Sequence, residues 1–440
     1  MKKSNRSMFS LSVAAIAVSL ILTGCGENLE IVADVPPASD HDHDHDHDHD
    51  HENGFSGRLV FTNSSDDHAY VYDLESESVI DDFHLSSESA ALYASPDYRY
   101  AIAIQRSAGV VNFIDSGFES EAHGDHYHYN ELEPALLDFA LFGELPTHYN
   151  QHEHRGVVFF DGTAGVPAKL YAVSDFSLSE GREMASHEFT RNQHGAAEIR
   201  DNYLFTSFRS GEAEGVLPEY VEVHEIHSDH FDFVQRFEET CPSLHGSAIT
   251  DVYVTFGCSD GVLVITEVEA GFTASKLANS STITAAESRI GSIYAHDETG
   301  VFIGKAGQEL HWLDLAEEAM VQLDWRGEEN ADAAIAHVGF NYTGNRLAIL
   351  DDSGMLTIVR FSSDTYEVQS QFSVLAELGD SLPNITFSAA SHEAFIADPV
   401  AQEIIVVDLH DGEVVERLAL DVAPGSLVWL GFLAEDEHAH

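Results

Sequence analysis

From residue 57 onward the chain alternates short apolar runs, rich in Val, Ile, Phe and Tyr, with clusters of Gly, Asp, Ser and Asn. Such runs, bounded by turn formers, are strand signals, and the pattern leaves little room for helix. The clearest runs recur at Arg58 to Thr62, Tyr100 to Ile104, Val157 to Phe160, Tyr203 to Thr206, Val252 to Phe256, Val301 to Gly304, Leu347 to Leu350 and Ala394 to Ala397, mostly spaced in the mid-forties. Most are followed by a turn and a second run, as at Gly261 to Ile265 and Glu403 to Val407. A period of about 40 to 50 residues with several strands per repeat predicts an all-β chain folded as a β-propeller. Taken as the inner strands, these runs give eight blades, or seven if the irregular second and third are merged. A run at Ser426 to Phe432 is placed to pair with the N-terminal strands of the first blade, closing the ring and removing exposed sheet edges. A stacked, non-propeller β array shares the same local pattern.

The N-terminal segment has a different pattern. Lys2, Lys3 and Arg6 precede an apolar run from Met8 to Leu22, the form of a signal peptide. The run ends in Leu22-Thr23-Gly24-Cys25, which resembles the lipobox of bacterial lipoproteins. Cleavage before Cys25 would leave it as the acylated first residue, and Gly26 rather than Asp after it points to the outer membrane. The chain therefore divides into a signal peptide (1–24), a lipidated tether (25–56), a propeller (57–434) and an acidic, histidine-containing tail (435–440). The tether has little hydrophobic pattern and is read as disordered. Within it lies an alternating His/Asp run with His41, His43, His45, His47, His49 and His51.

Composition narrows the function. With 76 acidic against 20 basic residues and a formal charge of -56, the chain is unsuited to nucleic acid, whose phosphates require Lys and Arg. The same charge disfavours a polybasic membrane contact, so membrane attachment falls to the lipid alone. Of three cysteines, Cys25 is assigned to lipid. Cys241 and Cys258 remain as a pair, read as a disulfide in an oxidising compartment, with a thiolate metal site as the alternative. No nucleophile elbow, phosphate loop, haem-attachment motif or His-Glu-x-x-His is present.

Histidine carries the remaining chemistry. His148, His194 and His245 each fall roughly nine residues before a predicted strand in three consecutive repeats. Equivalent positions in successive blades converge on one rim, and neutral imidazole is a good zinc ligand. Gly195 and Gly246, directly after two of these histidines, allow a close backbone approach or a positive φ. A second group, His126 and His128 beside Asp125, sits in an insertion between the second and third repeats. His337 is a weaker channel candidate. His152 and His154, and His224, His227 and His230, are read as exposed turn or outer-strand positions. Zinc fits this donor set, and copper or nickel also suit imidazole.

The Gly124-Asp125-His126-Tyr127-His128-Tyr129 loop followed by Glu133-Pro134-Ala135-Leu136-Leu137, the Pro146-Thr147-His148 step leading to Phe160-Asp161-Gly162, and the two His-Gly steps, together with the His/Asp run, are similar to the periplasmic zinc metallochaperone family of AztD type. That resemblance implies an eight-bladed propeller that binds zinc and hands it to the substrate-binding protein of a zinc ABC importer. A lipobox departs from the soluble form of such a chaperone. On this reading the His/Asp run captures zinc, a set drawn from His126, His128, His148, His194 and His245 holds it more tightly, and the chain is not an enzyme. A metal-dependent propeller hydrolase or oxidoreductase is the second reading. A surface interaction protein with an incidental metal-binding tract is the third.

Overall fold

The computed structural model describes residues 57–433, apart from 64, 88–89, 124–125, 214, 328–330, 363–364, 377 and 380–382, and the side chains of 121–128 also lie outside the description. The signal peptide, Cys25, the six tract histidines His41 to His51 and the C-terminal tail are thus outside the described residues, as are the imidazoles of His126 and His128.

The described chain is a β-propeller of eight four-stranded antiparallel blades. Their innermost strands are, from the second blade onward, Ala91–Ala94, Pro146–His152, Ala197–Arg200, Ser247–Ile249, Ser292–His296, Ile335–Phe340 and Asn384–Phe387. The first blade takes its innermost strand from the far end of the chain. There Pro424–Leu430 pairs antiparallel with Arg58–Asn63, so the predicted closing strand does close the ring. The third and fourth blades are further joined at their outer edges, where Ser186 of Ala185–Glu188 bridges His230 of His230–Arg236.

Eight separate apolar cores decide between eight blades and seven, because each fills one interface between neighbouring blades. Phe113, Val158 and Phe160 fill the interface of the second and third blades, so these two are distinct. Phe61, Phe395 and Trp429 fill the interface where the ring closes.

One correction concerns strand order within a blade. The apolar runs taken from the sequence as inner strands are the second strands, such as Arg58–Asn63, Tyr100–Gln105 and Arg346–Asp351, buried along their whole length. A second strand has sheet on both sides and a neighbouring blade against each face, so every position is apolar or sealed. The innermost strand borders the channel, and Pro146–His152 is accordingly only partly buried. Its mixed polarity hid it from the hydrophobic pattern.

A second correction concerns the His126/His128 insertion. It is not a linker between blades but a hairpin, Phe118–His123 with His126–Glu131. The hairpin is inserted inside the second blade, between Val110–Asp115 and the outermost strand Ala135–Phe142. Arg58 clamps its base through Nη1 to the Leu132 carbonyl at 2.9 Å and Nη2 to Glu131 at 3.1 Å. No helix among the described residues is long and apolar enough to cross a membrane.

Candidate metal centre

Three consecutive blades each bring one histidine to the start of the innermost strand. His148 follows a register shift between Pro146 and His148 that re-aims its side chain. His194 precedes Ala197–Arg200 and is fixed by its neighbour Gln193, whose main-chain N–H donates to the Asp161 carbonyl at 2.9 Å. The Gln193 side chain in turn donates to the Ser207 carbonyl and accepts from Arg209 N–H. His245 precedes Ser247–Ile249 and is laid against the fifth blade by two main-chain bonds of 3.0 Å, His245 N to Gly257 O and Gly257 N to Gly246 O. The same segment is tied down by the Cys241–Cys258 disulfide.

The two glycines act in different ways. A Cβ at Gly195 would stand 2.4 Å from the Phe159 ring and 2.6 Å from Ser207 Oγ, so only glycine lets His194 come this close. Gly246 has φ +77°, where L side chains are disfavoured, and its Cβ would meet Gly291 O at 2.6 Å.

The imidazoles converge through one kind of atom. His148 Nε2 lies 3.2 Å from His194 Nε2, and His194 Nε2 lies 3.1 Å from His245 Nε2. Tetrahedral ligands about 2.0–2.1 Å from zinc stand roughly 3.3 Å apart, so the three donors are already near a zinc-binding spacing. Among the described residues no further His, Cys, Asp or Glu donor joins this group.

The opposite ring nitrogens are anchored. His194 Nδ1 lies 2.9 Å from Asp161 Oδ2, and His245 Nδ1 lies 2.7 Å from the Gly291 carbonyl. Asp161 is oriented in turn by the Thr147 hydroxyl at 2.8 Å and by Arg106 Nη2 at 3.2 Å. Such partners fix the tautomer and aim of a metal-binding imidazole. Burial, then the neighbouring rings of His194 and His245, push His148 down to about 4. Burial is likewise the main cause that lowers His245, against the opposing bond to Gly291.

The imidazoles of His126 and His128 lie outside the described residues, and only the base of their hairpin is placed here. The His126/His128 hairpin leaves the second blade after Asp115, which pairs with Tyr100 at the end of the blade where Ala94 finishes. That end is the one marked by His152 and His154, because His154 Nδ1 contacts Asp97 Oδ1. The base of the hairpin is therefore on the opposite side of the ring from His148. His337 does line the channel, in a cavity of about 780 Å³ shared with Tyr93, Asn150, His152, His296 and Asp297. Two histidines dismissed as exposed are buried, His152 at 5% and His224 at 3% relative exposure. His152 ends an innermost strand and faces the channel, whereas His224 is covered by His187, 4.6 Å away between ring centroids. Asp161, visible in sequence only within the Phe160-Asp161-Gly162 step, and Gly291 carried no signal of a role toward a histidine, since each meets its ring only through blade packing.

No protein-family profile matches the sequence. The chain is 25% identical over 339 residues, 75% of its length and 76% of the relative's, to the zinc chaperone AztD of Citrobacter koseri. The crystal structure of Citrobacter koseri AztD superposes with a TM-score of 0.73 at 21% identity, covering 86% of this chain and 99% of that one. The apo form of the same protein gives 0.71 over the same shares, also at 21% identity. The dihydro-heme d1 dehydrogenase NirN shares the propeller more distantly, with a TM-score of 0.57 at 12% identity over 84% of this chain and 74% of that one. In sequence over 75% of its length and in fold over 86% of it, the chain is similar to the Citrobacter koseri zinc chaperone AztD.

Proposed function

We propose that the protein is an extracytoplasmic zinc metallochaperone that holds zinc on His148, His194 and His245 and passes it to the substrate-binding protein of a zinc ABC importer. One observation carries the metal assignment. The Gly291 carbonyl only accepts, so His245 Nδ1 must donate, and ionised Asp161 imposes the same on His194 Nδ1. With both Nδ1 atoms donating, the two Nε2 lone pairs face each other at 3.1 Å, an arrangement that a cation bound between them satisfies. Burial opposes a proton in this role by lowering His245, and a zinc ion meets the geometry without it.

Zinc held by three histidines suits transfer, because a ligand from a recipient can complete its tetrahedron before the histidines let go. The name of the Citrobacter koseri relative, a zinc chaperone, supports this choice over catalysis. In this scheme the His/Asp tract raises the local zinc concentration in labile coordination, and acylation of Cys25 tethers the protein at a membrane, with the outer membrane as the assigned location. The structural disulfide accords with an oxidising compartment. Three histidine ligands also describe hydrolytic zinc centres, which is the one feature favouring an enzyme.

Zinc titration of the wild type, a His194→Ala/His245→Ala variant and a protein lacking residues 40–51 tests the assignment. The double variant should lose the tight equivalent, and the tract deletion only weaker ones. Unchanged tight binding in the double variant would overturn the site. Zinc-dependent ester hydrolysis lost in the same variant would instead support the enzyme.

A further inference from the structure

We propose that His152, Asp251 and Asp297 form a second divalent-cation site at the other end of the channel from the three histidines. His152 closes the innermost strand of the third blade. Asp251 sits in the turn between Ser247–Ile249 and Tyr253–Cys258 of the fifth, and Asp297 directly follows Ser292–His296 of the sixth. His152 Nε2 stands 3.3 Å from Asp251 Oδ1 and 3.4 Å from Asp297 Oδ1. These separations are close to the roughly 3.3 Å expected between neighbouring ligands of a tetrahedral zinc ion.

The site is built rather than accidental. The His152 side chain is only 2% exposed, yet its Nε2 is aimed at two carboxylates while its buried Nδ1 has no hydrogen-bond partner. Asp297 Oδ1 is held by the Asp251 main-chain N–H at 3.0 Å, and Arg200 Nη1 fixes the Asp251 turn through the Thr250 and Asp251 carbonyls at 3.0 and 2.9 Å. The carboxylates are the exposed members, at 71% and 42%, so an ion can enter from solvent and meet the buried imidazole last. A dication would neutralise the two carboxylates, and one nitrogen with several oxygens is a mixed donor set suited to zinc and to harder divalent ions.

Between the two clusters the same strand is polar. Asn150 Nδ2 donates to Glu198 Oε1 at 3.0 Å and lies 3.2 Å from Ser247 Oγ. His148, Asn150 and His152 alternate along Pro146–His152 and so share one face of it. The second site does not depend on the first being a zinc site.

The test uses the full chain crystallised with zinc and mapped by anomalous scattering at the zinc edge. A peak about 2.0–2.2 Å from His152 Nε2 and both carboxylates is expected, whether or not a peak appears at His148, His194 and His245. In solution, Asp251→Asn/Asp297→Asn should bind one zinc equivalent fewer than the wild type, while His194→Ala/His245→Ala keeps that equivalent. A map at saturating zinc without density at His152, or unchanged stoichiometry in the folded Asn variant, would overturn the site and leave a hydrogen-bonded latch between blades. If the Asn variant does not fold, the wild-type map alone decides.

Discussion

His194 Nε2 and His245 Nε2 face each other at 3.1 Å, and the far nitrogen of each ring is already engaged, by Asp161 and by the Gly291 carbonyl. The tautomer of His194 therefore depends on Asp161 remaining a pure acceptor. Asp161→Asn can instead donate to Nδ1, moving the ring proton to Nε2 and into the place of the metal. Zinc affinity should fall by about 10- to 100-fold with the fold intact. Competition against a chromophoric chelator measures it, and an unchanged Kd would remove Asp161 from the site.

Zinc retention should outlast ordinary histidine titration on acidification. The sequence alone sets release near the free imidazole value of about 6.5. Burial, followed by the neighbouring rings, pushes His148 down to about 4, and His245 is lowered too, so protons compete with zinc at these rings only at lower pH. The difference in bound zinc between wild type and His194→Ala/His245→Ala, followed from pH 7 downward, should persist through 6.5 and collapse nearer 4. Half-release at 6.5 would contradict the structure. The metal-free fold has the related sign: unfolded rings take up protons first, so stability falls as pH drops from 6.5 toward 4.

Reducing Cys241–Cys258 should cost stability and loosen His245 together. The cysteines are 17 residues apart, and closing a loop of this size is worth about 3 kcal/mol in the chain-entropy picture. Denaturant unfolding with and without reductant checks the first effect, and zinc titration of Cys241→Ser/Cys258→Ser checks the second. Lower stability with unchanged zinc affinity would separate the disulfide from the site.

Gly195→Ala should act on zinc more than its size suggests. The new methyl group would overlap the Phe159 ring, so the segment carrying His194 must move, at about 1–3 kcal/mol typical of overpacking. A lowered Tm with weakened zinc binding is the expected pair of results. Wild-type values for both would show that Phe159 yields instead.

The legible parts of the molecule were those with a local signature. Second strands such as Tyr100–Gln105 are buried throughout and mostly apolar because both faces are covered, and their recurrence marks the propeller and its eight blades. Innermost strands such as Pro146–His152 mix buried and partly exposed positions, so their order within the blade was misread. His148, His194 and His245 were found through their shared repeat register, which a propeller turns into proximity. Asp161 and the Gly291 carbonyl were not, since their contacts with His194 and His245 follow no sequence spacing. His152, leading into a strand, reads in sequence as an exposed turn position. Only the assembled ring shows it sealed against the channel and facing Asp251 and Asp297.

The pairing of Arg58 with Leu430 also sets an order of events during folding. His148, His194 and His245 belong to blades that follow one another along the chain, so short loops suffice to bring them together. The first blade cannot acquire its innermost strand until Pro424–Leu430 has been made and has found Arg58–Asn63. Closure entropy grows slowly with loop length, about 0.6 kcal/mol per doubling, but contacts this distant in sequence form late. Until then Arg58–Asn63 is an unpaired edge able to accept a strand from another copy, so the nascent chain is most prone to association just before its last strand docks.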